Sequence, residues 1–356
     1  MRLKVIDNIN SFIEIESLWN QLYDKLDFVT PFQSWEWNFL YWKYFQGDKL
    51  LQILTFEDGG SLLGVLPFCI RYQEGLRILE PIGTRGTDYV HLLLNRDRSS
   101  EILENFILWF NKNSFDLLNL EDIPETAPYI NPLIGILKSN ELEVDYNKSY
   151  CPCYEIELPK SRDAYLNKLS KRRKKDTAYY RRYVSKSFKE VSLACLTPKD
   201  LEYHFELHQK SRQLKNDRGT YVNDQVRAFM RDFANTVSNK GLLKVLFLSL
   251  DKILTASILG VEDKNRRYDI TIGYDPKYAK YRPGSLLYGY DIEDCITRNV
   301  DVYDLSRGLD AYKTALGAKP KSNVRIVAAH SGETIEKYFK CQKDYWKGKN
   351  YAPTKD

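Results

Sequence analysis

Apolar residues form two pairs of runs, far apart in the chain, that each predict a β-hairpin. In the first pair, Leu50–Phe56 and Ser61–Leu66 flank the tight-turn sequence Glu-Asp-Gly-Gly. In the second pair, Leu242–Leu248 and Ile253–Gly260 flank a polar turn that contains Asp-Lys. The hairpins stand roughly 190 residues apart, so we expect an internal duplication rather than a short-period repeat.

The segments around the hairpins repeat in the same order. A helical, aromatic-rich segment precedes each hairpin, and an amphipathic helix and then a strand follow it. These segments are Trp35–Phe45, Glu101–Phe110 and Phe115–Leu120 in the first half, and Asp224–Val237, Ser285–Arg298 and Val300–Leu305 in the second half. This order predicts an α/β (α+β) fold of mixed sheets with flanking helices, in two tandem domains at 1–150 and 151–356.

Length and composition agree with two globular domains and exclude other classes. The chain has 356 residues, 43% hydrophobic and 28% charged. No stretch approaches the roughly 20 apolar residues that span a bilayer, and Asp7 and Asn8 interrupt the N-terminal segment before a signal core could form. Six scattered cysteines match neither a disulfide framework nor a zinc pattern. We therefore expect a reduced cytoplasmic protein without a transmembrane segment or a metal.

Positive charge is concentrated in one segment. Residues 168–186 contain nine Lys or Arg and one Asp, a local charge of +8 against +5 for the whole chain, so the remainder is slightly acidic. The segment lacks Gly and Pro and predicts a basic helix over 165–187. Such a helix could attract nucleic acid, anionic lipid or a phosphorylated small molecule, or could simply be a solvated face. A break in its apolar stripe at Arg172–Asp176 favours an anion site.

Several short motifs carry a family resemblance in order along nearly the whole chain. They are Thr30–Trp37, the Arg-rich segment Lys171–Arg182, Gly273–Pro276 with Tyr278-Ala279, Arg282–Ser285, Tyr303–Gly308 and Tyr312-Lys313. The chain thereby resembles tandem GNAT-superfamily acyltransferases, and more narrowly the CelD/BcsL-type acetyltransferase group associated with cellulose and other exopolysaccharide synthesis. The architecture is also similar to Fem-type aminoacyltransferases of cell-wall synthesis, which use aminoacyl-tRNA. The resemblance implies an acyl-CoA donor, acetyl-CoA or another acyl-CoA.

A turn followed by a helix predicts where the donor's phosphates bind. Pro283 and Gly284 are expected to form the turn, Gly284 and Ser285 to offer backbone amides at the helix start, and Arg282 to add a charge. The first half has Asn95–Ser100 at the equivalent place, so only the second domain is expected to hold the donor. The usual GNAT loop, Gln/Arg-x-x-Gly-x-Gly/Ala, is degenerate here, which leaves room for another carrier.

Proton transfer and acceptor binding are expected at the end of the last repeated strand, where open sheets place their sites. Asp304 is the predicted base for the acceptor, Tyr312 the acid for the leaving thiolate, and Lys313 the group that stabilises the oxyanion or holds a phosphate. Basic residues of the predicted helix and of later segments are expected to bind the acceptor. These acceptor-binding residues are Arg172, Arg173, Lys175, Arg212 and Arg307.

Three functions remain open from the sequence. The leading hypothesis is direct transfer of an acyl group from CoA to an amine or hydroxyl of an amino sugar or glycan precursor. A second keeps the fold but takes aminoacyl-tRNA as the donor, and a third is a non-catalytic module that binds nucleic acid or a membrane surface. No DNA partner is expected. His204 and His208 stand one helical turn apart, but Phe205 rather than Glu follows the first histidine and no third zinc ligand is evident, so they predict a surface or core helix.

The first half is expected to wall the acceptor groove. Trp35, Trp37 and Trp42 are predicted core residues by helical spacing, and the basic, aromatic tail Lys337–Lys349 is predicted to be a closing helix.

Overall fold

A computed structural model describes the chain over residues 1–214 and 217–348, with side chains to residue 342. The helices are α1 Ile9–Glu14, α2 Glu16–Lys25, α3 Trp35–Phe45, α4 Ser99–Lys112, α5 Ile130–Ser139, α6 Arg162–Lys168, α7 Lys171–Ser187, α8 Leu201–Gln213, α9 Asp224–Asn239, α10 Pro283–Thr297, α11 Ala311–Ala315 and α12 Gly332–Gly348. The strands are β1 Arg2–Ile6, β2 Leu50–Asp58, β3 Ser61–Gln73, β4 Leu76–Pro81, β5 Leu93–Leu94, β6 Leu117–Pro124, β7 Glu143–Glu157, β8 Val191–Cys195, β9 Leu243–Leu250, β10 Ile253–Asp263, β11 Arg266–Tyr274, β12 Val302–Arg307 and β13 Lys319–Ala329.

The chain divides into two compact units. The second unit is Pro152–Lys321, and the first unit contains Met1–Cys151 together with the described residues from Ser322 onward. The sequence analysis assigned everything after 150 to the second domain, and for the segment after Lys321 this differs from the structure. The reason is local pairing: β13 is hydrogen-bonded to β6, with Val327 opposite Asn119, so this segment completes the sheet of the first unit.

The first unit has a mixed sheet with helices packed on it. Its strand order is β1-β2-β3-β4-β6-β13, with β5 beside β3. The predicted hairpin is present as β2 and β3, joined at Asp58 opposite Ser61. Trp35, Trp37 and Trp42 on α3 are buried, so the core prediction is confirmed. The predicted closing helix is α12, although Lys349 lies outside the described residues.

The second unit repeats this arrangement around the strand order β7-β12-β11-β10-β9-β8. Its predicted hairpin is β9 and β10, and its predicted amphipathic helix is α10. Helix α8 contacts β10 and β11, and helix α10 contacts β9, β10 and β11. The mixed α/β fold with two repeated units is therefore confirmed. Over the described parts of the chain, no helix is long and apolar enough to cross a membrane.

The predicted basic helix is two helices rather than one. Helix α6 ends before Leu169, whose backbone is extended and whose side chain is buried. Helix α7 begins anew after Ser170, whose hydroxyl accepts the backbone N–H of Arg173 at 3.2 Å. A serine that caps a helix in this way favours a break at its own position. The sequence analysis missed the break because it relied on the absence of Gly and Pro.

Candidate functional site

The sheet of the second unit opens between β11 and β12. These parallel strands pair only at their starts, from Arg266 opposite Val302 to Tyr268 opposite Asp304. Just beyond, Ile270 is an extra residue in the pairing of β11 with β10, because Asp269 and Thr271 lie opposite consecutive β10 residues. A bulge of this kind twists a strand and redirects its side chains, so the opening is built into the sheet.

Asp269 lies at the point where the two strands separate. The carboxyl is 4% exposed, and the Tyr288 hydroxyl donates a hydrogen bond to its Oδ2. Its Oδ1 is buried and has no hydrogen-bond partner among the residues that the structure describes. Burial raises the pKa of Asp269 to about 6, against the lowering effects of Tyr288, Arg267 and Lys313. This residue therefore combines an unpaired acceptor atom with a pKa suited to a general base near neutral pH. The sequence analysis did not single it out.

Tyr312 and Lys313 lie beside Asp269, as helix α11 follows the end of β12. The hydroxyls of Tyr288 and Tyr312 are 3.3 Å apart and their rings stack, with centroids separated by 5.3 Å. Burial raises the pKa of Tyr312, so its phenol holds its proton. The Lys313 ammonium is buried and donates to the backbone carbonyls of Ser306, at 3.1 Å, and Arg307. Its charge therefore stabilises the turn after β12 and lowers the pKa of the Asp269 carboxyl.

Asp304 does not stand in the position predicted for the base. Its Oδ1 accepts the backbone N–H of Ser306 at 2.8 Å, and its Oδ2 is 3.7 Å from Nη2 of Arg266. The same guanidinium is 2.8 Å from Glu155. Asp304 therefore contributes to an ion-paired turn, and among the carboxylates described at the opening Asp269 is the better candidate base. Arg307 ends β12 opposite Cys153, where its carbonyl binds Lys313.

The start of α10 differs in detail from the predicted Pro-Gly turn. Pro283 and Gly284 are already the first helical residues, and the turn is made by Arg282, whose φ of 51° is left-handed. Arg282 caps the helix with no side-chain hydrogen bond, which leaves first-turn amides such as those of Gly284 and Ser285 available to a ligand. A Cβ on Gly284 would lie 3.3 Å from Cδ1 of Ile272 on β11, so glycine allows close packing on the sheet.

Helix α7 brings part of the basic segment to this helix start. The Arg282 guanidinium lies 4.9 Å from the centroid of the Tyr180 ring. Burial lowers the pKa of Arg173, and the charge of Arg282 lowers it further, so the two guanidinium groups are near one another. Arg172 and Lys175 are on the exposed side of α7. The structure thus groups Arg173 with the predicted donor residues rather than with the other acceptor candidates.

Helix α8 contributes two histidines that differ in their partners. His204 is bonded through Nδ1 to Ser257 at 2.9 Å and through Nε2 to Thr271 at 2.8 Å. His208 is bonded through Nδ1 to the carbonyl of Ile272 at 2.9 Å. Of the two predicted alternatives, a surface helix or a core helix, the structure shows the second, because the rings of His204 and His208 are both buried. In the described part of the chain, no group of three or more His, Cys, Asp or Glu residues is arranged to hold a metal ion.

Arg212 extends α8 toward the opening. It forms an ion pair of 3.5 Å with Asp217, and its charge lowers the pKa values of both Tyr312 and His208. Arg212 is therefore close enough to Tyr312 and His208 to act on them electrostatically, and its role in acceptor binding stays a prediction.

Known proteins share both a segment of this sequence and its fold. The family profile of the acetyltransferase (GNAT) domain matches residues 170–314, which contain the opening, α8 and the start of α10. The matched segment lies within the second unit, Pro152–Lys321. No sequence among the curated proteins matches the chain.

Solved structures resemble this chain over nearly its full length. FemX has a TM-score of 0.63 and 9% identity, over 92% of this chain and 97% of FemX. A conserved protein of unknown function from Bacteroides thetaiotaomicron has a TM-score of 0.58 and 10% identity, over 92% and 99%. A tandem GNAT protein from the clavulanic acid biosynthesis pathway has a TM-score of 0.50 and 12% identity, over 93% and 99%. At these identities the likeness concerns the fold alone.

Proposed function

We propose that the protein transfers an acyl group, and specifically an acetyl group, from acyl-CoA to an amine or hydroxyl of an amino sugar or other glycan precursor. The observation that carries this proposal is the buried Oδ1 of Asp269, unpaired among the described residues, at a sheet opening that also contains Tyr312 and Lys313. Proton acceptor, proton donor and positive charge are the groups that direct acyl transfer requires. The CelD/BcsL-type group, and with it exopolysaccharide synthesis, is part of the proposal through the motif resemblance.

The chemistry proceeds in one ternary complex. The nucleophilic nitrogen or oxygen attacks the thioester carbon, its proton passes to Oδ1 of Asp269, and the carbon–sulfur bond breaks as the tetrahedral intermediate collapses. The departing thiolate takes the phenolic proton of Tyr312. After one turnover Asp269 holds the proton of the nucleophile and Tyr312 lacks its own; loss of the first proton to solvent and uptake of one by Tyr312 restore both groups, so the proton count closes. Tyr288, which donates to Oδ2 and lies 3.3 Å from the Tyr312 hydroxyl, orients both side chains. The positive charge of Lys313 stabilises the negative charge that develops on the carbonyl oxygen in the transition state.

Donor phosphates are expected at the start of α10, where Arg282, Arg173 and first-turn amides supply positive charge. The proposed acceptor contacts are two exposed cations of α7, Arg172 and Lys175, and two arginines nearer the opening, Arg212 and Arg307. We place the reaction in the cytoplasm because all six cysteines, which lie within the described residues, are free thiols.

Calorimetric titration with acetyl-CoA tests the donor. Arg282→Asn removes the cation while keeping a residue that tolerates a left-handed backbone. Lys252→Asn is the matched control, because Lys252 is also an exposed cation at positive φ, in the β9–β10 turn. We expect micromolar binding that Arg282→Asn weakens about tenfold, since a charge-assisted hydrogen bond contributes roughly 1.5–3 kcal/mol, and that Lys252→Asn leaves unchanged. Absence of binding to acetyl-CoA and to longer acyl-CoAs would exclude this donor.

Aminoacyl-tRNA is the second candidate donor. The exposed stripe on α7 favours it, because Arg172, Lys175, Arg182 and Lys186 recur at helical spacing and Asp176 is the one acidic residue of this helix. Binding to a charged tRNA would then weaken steeply with salt, in proportion to the number of phosphates that these cations contact. If neither donor binds, the remaining function is a non-catalytic basic module.

A further inference from the structure

His208 is held in a fixed position against β11. A Cβ on Gly273 would lie only 2.2 Å from the backbone nitrogen of His208, so the backbones of α8 and β11 are in direct contact at this point. The His208 ring is fully buried, and its centroid is 5.0 Å from that of Tyr221. A side chain placed in this way cannot move far without separating the helix from the strand.

The hydrogen bond to Ile272 determines which nitrogen carries the proton. A carbonyl oxygen only accepts, so Nδ1 of His208 is the protonated nitrogen. Burial lowers the pKa of His208 to about 4, and the ring is therefore neutral at physiological pH. Its Nε2 then presents a lone pair, and this buried atom has no hydrogen-bond partner in the described residues. His204, one turn earlier, has partners for both nitrogens.

Ile272 on β11 contacts both His208 and the start of α10, where the donor's phosphates are proposed to bind. Its carbonyl accepts from His208, and its side chain is the nearest neighbour of Gly284 at the start of α10. Asp269 lies three residues earlier on the same strand, an interval that contains the bulge at Ile270 and so spans at most about 10 Å. The linker that joins a donor's phosphates to its thioester must run along this interval. In coenzyme A that linker is the pantetheine arm, which carries two amide N–H donors.

We infer that Nε2 of His208 is a hydrogen-bond acceptor for an amide N–H of the donor's pantetheine arm. This inference rests on the proposed acyl-CoA donor and adds a binding residue on α8, outside the phosphate loop. A buried acceptor left without a donor is unfavourable, and an incoming N–H satisfies it. His208 therefore favours carriers with an amide at this distance from the thioester.

Two substitutions at His208 separate its two nitrogens. His208→Asn retains a short side-chain amide that can donate to the Ile272 carbonyl but removes the acceptor at the Nε2 position. His208→Gln reaches farther and can restore an acceptor near Nε2. His204→Asn is the matched control, because it alters a buried histidine of the same helix whose nitrogens already have partners in the protein. Thermal unfolding of all three variants identifies any that do not fold.

The measurement is calorimetric titration of the folded variants with acetyl-CoA and with pantetheine itself. We expect His208→Asn to weaken both ligands about tenfold, His208→Gln to recover most of the loss, and His204→Asn to bind as the wild type does while melting at a lower temperature. Equal affinities for wild type and His208→Asn would overturn the inference while leaving the donor in place. A wild-type protein that binds neither ligand would overturn the proposed donor and this inference together.

Discussion

At the scale of single residues, Asp269 is the group on which the proposed chemistry depends most. Its replacement by Asn keeps the size of the side chain and the hydrogen bond with Tyr288 but removes the base. We expect kcat to fall by about 10²–10⁴-fold, the range for loss of a general base. The measurement is thiol release from acetyl-CoA in the presence of an acceptor such as glucosamine. Asp304→Asn is the informative comparison, because an ion-paired turn residue should affect stability more than turnover.

The pH dependence follows from the same residue. A base must be deprotonated to act, so kcat/KM should rise with pH through about 6, where burial places the pKa of Asp269. The hydrogen bond from Tyr288 lowers this pKa, so Tyr288→Phe should move the rising limb to higher pH. Rate profiles from pH 5 to 9 test the shift. A limb that stays in place in Tyr288→Phe, or that persists in Asp269→Asn, would assign the titration to another group.

A buried ion pair makes a separate prediction about stability. Arg267 is fully buried, and its Nη2 lies 3.1 Å from Oδ2 of Asp291, which also accepts from Tyr303 at 2.6 Å. Arg267→Met leaves a buried carboxylate without its cation, so we expect the free energy of unfolding to fall by roughly 3–5 kcal/mol. Denaturant titration measures the loss. The double variant Arg267→Met with Asp291→Leu should recover part of it, whereas equal losses would argue against an uncompensated charge.

At the scale of elements, α7 divides its basic residues between two faces. Arg173 lies near Arg282 and the start of α10, whereas Arg172, its sequence neighbour, is exposed. We expect Arg173→Gln to weaken acetyl-CoA binding about tenfold and Arg172→Gln to leave it unchanged while raising the KM for an anionic acceptor. Calorimetry and initial rates distinguish the two effects. Identical behaviour of the two variants would show that α7 acts only as a diffuse positive surface.

The elements also show why the sequence predicts the fold better than the site. The hairpin β9–β10, helix α9 and strand β12 follow from apolar periodicity and turn residues, which are local signals. Asp269 stands within the strand Arg266–Tyr274 between residues of mixed character, and its environment depends on Tyr288 and Tyr312, which are distant in sequence. The signal that could have identified it is a carboxylate inside a strand, between the apolar side chains of Tyr268 and Ile270, since such a group, once buried, needs a partner or a function.

The break between α6 and α7 illustrates the same limit on a smaller scale. Ser170 is a residue type that favours a helix N-cap, so a helix start at this position could be predicted from the sequence. A continuous helix, however, was equally compatible with the composition. The buried, extended Leu169 decides between them, and its burial is a property of the folded unit.

At the scale of the whole molecule, two units of one fold need not bind two donors. In the first unit, β4 and β6 also pair in parallel for a short stretch, from Ile78 opposite Leu117 to Leu79 opposite Leu118. Beyond this stretch, however, another segment of the same unit binds β6: the backbone N–H of Val90 donates to the carbonyl of Asp122 at 2.8 Å. This hydrogen bond occupies the Asp122 carbonyl, which β6 would otherwise offer to a ligand.

The start of α4 differs from that of α10 in its capping arginine, although neither cap makes a side-chain hydrogen bond. Arg98 has a φ of −112° and forms ion pairs with Asp58 and Glu101, whereas Arg282 is left-handed. Helix α4 follows Arg98 and the short helical turn that Asn95 caps, so the side chain of Asn95 already accepts the backbone N–H groups of Asp97 and Arg98. We therefore expect calorimetry to give one acetyl-CoA per chain, and Arg282→Asn to weaken that single binding event without exposing a second. A stoichiometry of two would show that the segment around Val90 yields to the donor, and the first unit would then be a second donor site.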